Sequence, residues 1–222
     1  MGDTFKKLNA INVNENTEKK DGLTYLSWAW AWAELKKVYP DATYQIRQFD
    51  GKPYLFDENL GYMVMTEMTI DGMTHEMWLP VMNGANKAMK DKPYTVQTKY
   101  KEITVQPATM FDINTAIMRC LTKNIAMFGL GLYIYAGEDL PEDSEERKEA
   151  EKQKAEIEKK SDDISKMKIS KIKVDSLANK AVADNVPLKR ILELYKVPDI
   201  ESMTEKQYRN CMDNWKKIVE MN

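Results

Sequence analysis

Apolar residues recur along this chain with two periods, and the places where one gives way to the other outline the elements. Thr24 or Ser27 can cap a helix that runs to about Tyr39 and stops at Pro40-Asp41. Its core reads Trp28-Ala29-Trp30-Ala31-Trp32-Ala33-Glu34-Leu35-Lys36-Lys37. The alternation imitates a strand, but the alanines, the polar Glu34 to Lys37 end and the proline stop favour helix. On a helix Trp28, Trp32, Leu35 and Tyr39 share a stripe and Trp30 points nearly opposite. One tryptophan face packs on a sheet; the other needs a second partner, a neighbouring subunit or bases. Trp28, Trp30 and Trp32 are therefore read as core or as an oligomer interface.

Period-two segments come next. Thr43 to Phe49 alternates up to the turn Asp50-Gly51-Lys52-Pro53, and Tyr54 to Phe56 is a short strand before the loop Asp57 to Gly61. Tyr62 to Ile70 and Met73 to Val81 pair through Asp71-Gly72, the strongest hairpin signal in the chain. A long connection, Pro80 to Pro107, carries Lys87, Lys90, Lys92, Lys99 and Lys101, with another β segment expected over Thr95 to Val105. A second long helix, Asp112 to Phe128, then buries Ile113, Ile117, Cys120, Leu121, Met127 and Phe128 and carries Thr115, Arg119 and Lys123 on a different face. It breaks at Gly129-Leu130-Gly131, a helix cap and bend that lets the chain pack closely, before Leu132-Tyr133-Ile134-Tyr135.

The two ends read differently. Residues 1–22, with Asn12, Asn14, Asn16 and a Lys19-Lys20-Asp21-Gly22 turn, are expected to be a flexible arm. Between Gly137 and Asp163 stand twelve acidic and six basic residues with almost no core-forming side chains, the mark of a charged linker or a lone exposed helix. Beyond it Val174 to Asn185, Leu188 to Tyr195 and Thr204 to Glu220 read as three short helices. Their small core is drawn from Leu177, Ala181, Leu188, Ile191, Leu192, Leu194, Tyr208, Trp215, Ile218 and Val219. The fold class is thus α+β: an antiparallel meander with a hairpin packed on long helices, plus a small helical C-terminal domain. The divisions are an arm over 1–22, a core over 23–140, a linker over 141–163 and the helical domain over 164–222.

Composition narrows the chemistry. The one histidine, His75, falls in a strand as a solvated residue, and the two cysteines, Cys120 and Cys211, lie far apart and form no CxxC. Zinc sites and Cys-His or Ser-His catalysis lack parts, and no GxxxxGK[ST] is present for a P-loop. No apolar run approaches the length of a membrane span, and Met1 to Leu8 is no signal peptide. A reduced, cytoplasmic protein with no cofactor, not an enzyme, is expected.

Charge supplies the positive clue. From Met77 to Gly137 seven basic residues face only three acids, Asp91, Glu102 and Asp112, although the whole chain has a net charge of -2. Arg119 and Lys123 can meet successive phosphates, and the lysines of the 87–101 connection can form the opposite wall of a groove. Tyr94 and Tyr100 lie among those lysines, where rings can stack on bases. The candidate DNA-binding residues are Lys87, Lys90, Lys92, Tyr94, Lys99, Tyr100, Lys101, Arg119 and Lys123.

The order helix, meander with hairpin, helix, and the ending KNIAMFGLGLYIYAGEDL (Lys123 to Leu140), resembles the single-strand annealing proteins of phage recombination systems, the Sak/Erf/RecT-like recombinases. It is also similar to the annealing domain of eukaryotic recombination mediators. The pattern falls on Arg119 and Lys123, on Phe128 and Gly129, on Leu132 to Tyr135 and on Glu138-Asp139. TYLSWAWAWAELKKVYPDATY (Thr24 to Tyr44) resembles the opening helix of a phage branch. The resemblance covers residues 23–140. It implies ATP-independent annealing of complementary DNA strands by a ring or filament of subunits, with single-stranded DNA in a basic groove. The last helix is less basic than in the eukaryotic relatives, with Thr122 and Ala126 at neighbouring positions, so the 80–107 connection is expected to supply charge. By analogy the C-terminal domain would dock a host single-strand binding protein or a phage exonuclease. The competing readings are an oligomeric adaptor or scaffold that recruits replication or recombination partners through its C-terminal helices, and a metal-dependent nuclease for which Asp91, Glu102 and Asp112 fit no motif.

Overall fold

A computed structural model describes residues 2–20, 23–98, 101–138, 140 and 144–220. The chain divides into two compact units, residues 1–151 and 152–222.

The first unit is organised around a ten-residue strand, β5 (Gly61–Ile70), whose length lets three strands pair with it. β6 (Met73–Pro80) returns along one edge in the register Ile70↔Met73 to Met63↔Pro80, with Asp71 and Gly72 both at positive φ in the turn. β3 (Thr43–Ile46) and β4 (Leu55–Asp57) divide the other edge, β3 opposite Thr66–Thr69 and β4 opposite Gly61–Met63. A separate hairpin, β7 (Tyr94–Gln97) with β8 (Glu102–Val105), fills the expected 95–105 segment; Lys99 and Tyr100 lie outside the described residues.

Across the sheet lies α3 (Met110–Met127), started by a capping box in which the Thr109 hydroxyl accepts from the Asp112 amide and the Asp112 carboxylate accepts from the Thr109 amide. Its first half packs Ile113, Ala116, Ile117 and Cys120 against Val64, Leu79 and Val81. Its second half packs Leu121, Ile125 and Phe128 against Met68, Ile70 and Leu35. Met127, expected inside, is 40% exposed. His75 is half-buried, its ring 4.5 Å from that of Phe128, rather than solvated.

Residues 2–20 depart most from expectation. They are no loose arm: α1 (Gly2–Asn9), a 3-10 turn (Asn14–Asn16) and β1 (Thr17–Lys20) fold onto the core, with Leu8, Ile11 and Val13 buried. β1 pairs with β2 (Leu23–Leu26), and Asp21 and Gly22, where a turn is expected from the sequence, lie outside the described residues. Room for α1 comes from Gly129, at φ +116°, where a Cβ would stand 2.6 Å from the Phe5 carbonyl oxygen. The break after α3 is thus both cap and crossing point.

α2 (Trp28–Val38) is capped by the Ser27 hydroxyl. Ala31 and Leu35 face the core, and Trp30 and Trp32 flank them on either side, both packed on the same cluster. The expected opposition of Trp30 fails because the buried arc is wide: neighbours one position to each side of Ala31 both reach it. Trp28 is the exposed member at 47%.

α4 (Glu145–Lys166) occupies most of the charged 141–163 stretch, and none of its residues is buried. The unit boundary falls within it. The second unit holds α5 (Lys171–Ala183), α6 (Leu188–Tyr195), α7 (Glu205–Asp213) and α8 (Trp215–Glu220) around Leu177, Ala181, Ile191, Met203, Cys211, Trp215 and Ile218. The Trp215 indole N–H donates to Asp184 at 2.6 Å, and Lys180 bridges the same carboxylate at 3.2 Å; together they hold it below the usual carboxylate range. Leu194, counted into this core from sequence, is 52% exposed.

Gly129→Ala should therefore lower stability by more than about 2 kcal/mol, since strained backbone and a clash with fixed backbone act together. Gly72→Ala, at φ +74° with open space around it, should cost only the backbone share, about 1 kcal/mol. Thermal unfolding of the two variants beside the wild type checks the order; equal midpoints would mean that α1 does not cross at Gly129.

Candidate nucleic-acid interface

The face of α3 turned away from the sheet forms the floor of a cleft of about 620 Å³. Asn114, Thr115, Met118, Arg119, Thr122 and Lys123 line it from α3. Thr17, Glu18, Thr24, Tyr25 and Leu26 of the β1–β2 hairpin form its wall, continued by Ser27 and Trp28 at the start of α2. Glu15, Asn16, Tyr135 and Glu138 complete the lining. Thr115, Arg119 and Lys123, placed on one face by their spacing, all reach this cleft.

Each cation there is set against a ring. The Arg119 guanidinium lies 4.8 Å from the centroid of Tyr25, and the Lys123 ammonium 5.3 Å from that of Tyr135. Such pairs hold a cation in place while leaving its N–H groups able to donate. Lys123 is also ion-paired to Glu138 at 2.7 Å, with side chains only 19% and 11% exposed. This pair is sheltered enough from solvent to fix both partners. Burial drives the Tyr135 phenol well above the usual tyrosine range, Glu138 adds to the rise and Arg119 opposes it. The ring is therefore neutral at any working pH, an apolar face with a polar edge.

The lysine connection is placed elsewhere. Lys87, Lys90, Lys92 and Lys101 are not among the residues lining the cleft, so they do not form its opposite wall. The backbone of their segment meets the head of α3 at Lys90, where the Ala108 amide donates to the Lys90 carbonyl at 2.9 Å, and Met89 and Tyr94 pack into the cluster around Ile113. The Tyr94 hydroxyl donates to the Ala88 carbonyl and its ring lies 4.9 Å below the Lys90 ammonium, so this tyrosine is a half-buried structural residue on one side. Lys99 and Tyr100 lie outside the described residues. Of the three tryptophans only Trp28 opens to the cleft.

Tyr25 is a site residue that the sequence does not single out, whereas Tyr135 and Glu138 fall in the pattern that carries the resemblance but are not among the candidate DNA-binding residues. Tyr25 has a usable signal, the short β-prone run Leu23-Thr24-Tyr25-Leu26 directly before the Ser27 cap. Its pairing partner Thr17–Lys20 is too polar to show as a strand. Among the described residues no three His, Cys, Asp or Glu side chains converge as a metal site, and no helix is long and apolar enough to cross a membrane.

No curated protein and no solved structure matches the chain. The family model described as Sak Single Strand Annealing Protein matches residues 3–166, a span that contains every residue lining the cleft and ends with α4. With well over half of its length matched, the chain belongs to the Sak single strand annealing protein family.

Proposed function

We propose that this protein binds single-stranded DNA along the α3 cleft and anneals complementary strands without ATP, as an oligomer, in phage recombination within the host cytoplasm. The observation that carries this reading is the pairing of Arg119 with Tyr25 and Lys123 with Tyr135 within one cleft, inside a single-strand annealing family match. Cations positioned on rings meet phosphates, and exposed Trp28 offers a face to a base, the combination that holds a strand without reading its sequence. The reading is one of binding rather than catalysis. Oligomerisation is supported by β6, which among the described residues pairs with β5 alone and leaves an open edge carrying Trp78, 48% exposed. Open edges of that kind are extended by a second copy or covered by one.

The second unit lies beyond the family match from residue 167 onward and has its own core. It is proposed to recruit a host single-strand binding protein or a phage exonuclease.

Mixing the protein with complementary oligonucleotides in the absence of ATP should produce duplex faster than the strands alone. No acceleration would remove the proposal. Arg119→Ala combined with Lys123→Ala should weaken binding equally on all sequences and flatten the salt slope by roughly 0.7 for each phosphate no longer neutralised. A folded double mutant with an unchanged slope would place the strand elsewhere.

Glu138→Gln should act in the opposite sense. It releases Lys123 from its carboxylate, so single-strand affinity should rise and the salt slope steepen by about 0.7. Fluorescence anisotropy at a series of salt concentrations measures both, and a weakened complex would show that Glu138 is needed to aim the lysine.

A chain ending at residue 151 should still anneal naked strands but fail on strands coated with the host single-strand binding protein. Loss of naked-strand annealing would make 152–222 part of the DNA site instead.

A further inference from the structure

Phe111 is 78% exposed in the first turn of α3, with Met110 beside it at 69%. Large apolar side chains left this bare are usually covered by something in the working protein. Position on the helix says by what. The α3 residues lining the cleft cover about half of the helix circumference, and Phe111 falls within the same arc, one turn nearer the N-terminus than Thr115. Thr115 is tied to it directly, its hydroxyl donating to the Phe111 carbonyl at 2.9 Å.

Cation-bearing stretches of the chain lie before and after Phe111. Arg119 and Lys123 succeed it along α3, Lys123 by about 18 Å of helix axis. On the other side the amide of Ala108, three residues before Phe111, donates to the backbone carbonyl of Lys90, whose ammonium lies over the Tyr94 ring, with Lys92 exposed close by in sequence. The backbone at Lys90 thus meets α3 beyond Phe111 instead of facing the cleft. A protein partner has no general reason to place its apolar contact between two cationic groups, whereas a nucleic acid strand presents that alternation, phosphates with bases between them.

We infer that Phe111 is a base-stacking residue that extends the single-strand path from the cleft to Lys90 and Lys92. This rests on the reading of the cleft as a single-strand site.

The test uses the full chain, Phe111→Ala and Phe111→Trp, and oligothymidylate carrying 2-aminopurine at successive positions. Stacking on Phe111 should change the emission at one position in the wild type. Phe111→Ala should abolish that change and weaken binding about tenfold, with the salt slope unaltered because every phosphate keeps its cation. Phe111→Trp should restore affinity. An alanine variant with wild-type affinity and emission overturns the inference. So does a variant whose light scattering shows smaller assemblies, which would assign the ring to a subunit contact. If the wild type bound no strand, the cleft reading itself would fall. If Arg119→Ala with Lys123→Ala weakened binding while Phe111→Ala did nothing, only the role of Phe111 would be lost.

Discussion

The buried amide of Asn124 determines which way α3 faces, and the cleft depends on it. Asn124 is fully buried and its Nδ2 donates to the Thr66 carbonyl of β5 and to the His75 carbonyl of β6, both at 3.0 Å. One turn earlier the Cys120 thiol donates to the Met77 carbonyl at 3.1 Å and lies 3.4 Å from the Thr66 hydroxyl. Apolar packing alone is non-directional and would accept a helix rotated by some tens of degrees. A buried donor without its acceptor costs about 1–3 kcal/mol, so these bonds select one rotation. With Asn124 and Cys120 turned to the sheet, Thr115, Arg119 and Lys123 are turned to the cleft. The same burial pushes the Cys120 thiol up, which disfavours the thiolate.

A second constraint acts at the other end of α3. Gly129 and Gly131, both at positive φ, bring the chain close to α1 and to Val13. That closeness places the N-terminal segment, because Leu8, Ile11 and Val13 anchor it just before β1. The hairpin that carries Tyr25 onto Arg119 is therefore held by glycines more than a hundred residues later in the chain. The Phe-Gly-x-Gly pattern serves the cleft without contributing a side chain to it.

Much of this is legible in the sequence, and the failures have physical causes. The β5–β6 hairpin and α3 are visible because turn chemistry, capping and periodicity all agree over long segments. The stripe Thr115, Arg119 and Lys123 comes from spacing alone. α1 and β1 escape because a short polar segment with three apolar anchors carries no periodic signal; the burial of Leu8, Ile11 and Val13 is supplied by residues distant in sequence. Trp30 is misplaced for the converse reason, since a helix covered on about half of its circumference buries residues that a narrow stripe would leave out. The lysines of the 87–101 connection do form a local excess of charge, but charge density does not say which surface a loop presents.

The cleft is also less cationic than the local sequence suggests, and this bears on what it can do. Arg119 and Lys123 share it with Glu15, Glu18 and Glu138, and Lys123 already has a carboxylate partner. A polyanion entering here gains little from net charge and must instead exchange one ion pair for another, phosphate for Glu138, at nearly constant local charge. On the proposed function aromatic faces would then carry a larger share of the interaction than counterion release does. On the proposed function such balance would suit annealing better than tight storage: stacking on Tyr25 or Trp28 would be given up when a base pairs with its complement, and Glu138 would be at hand to reclaim Lys123 as the duplex leaves. The mixed charge that makes the cleft look weak as a binding site is what would let it release its product.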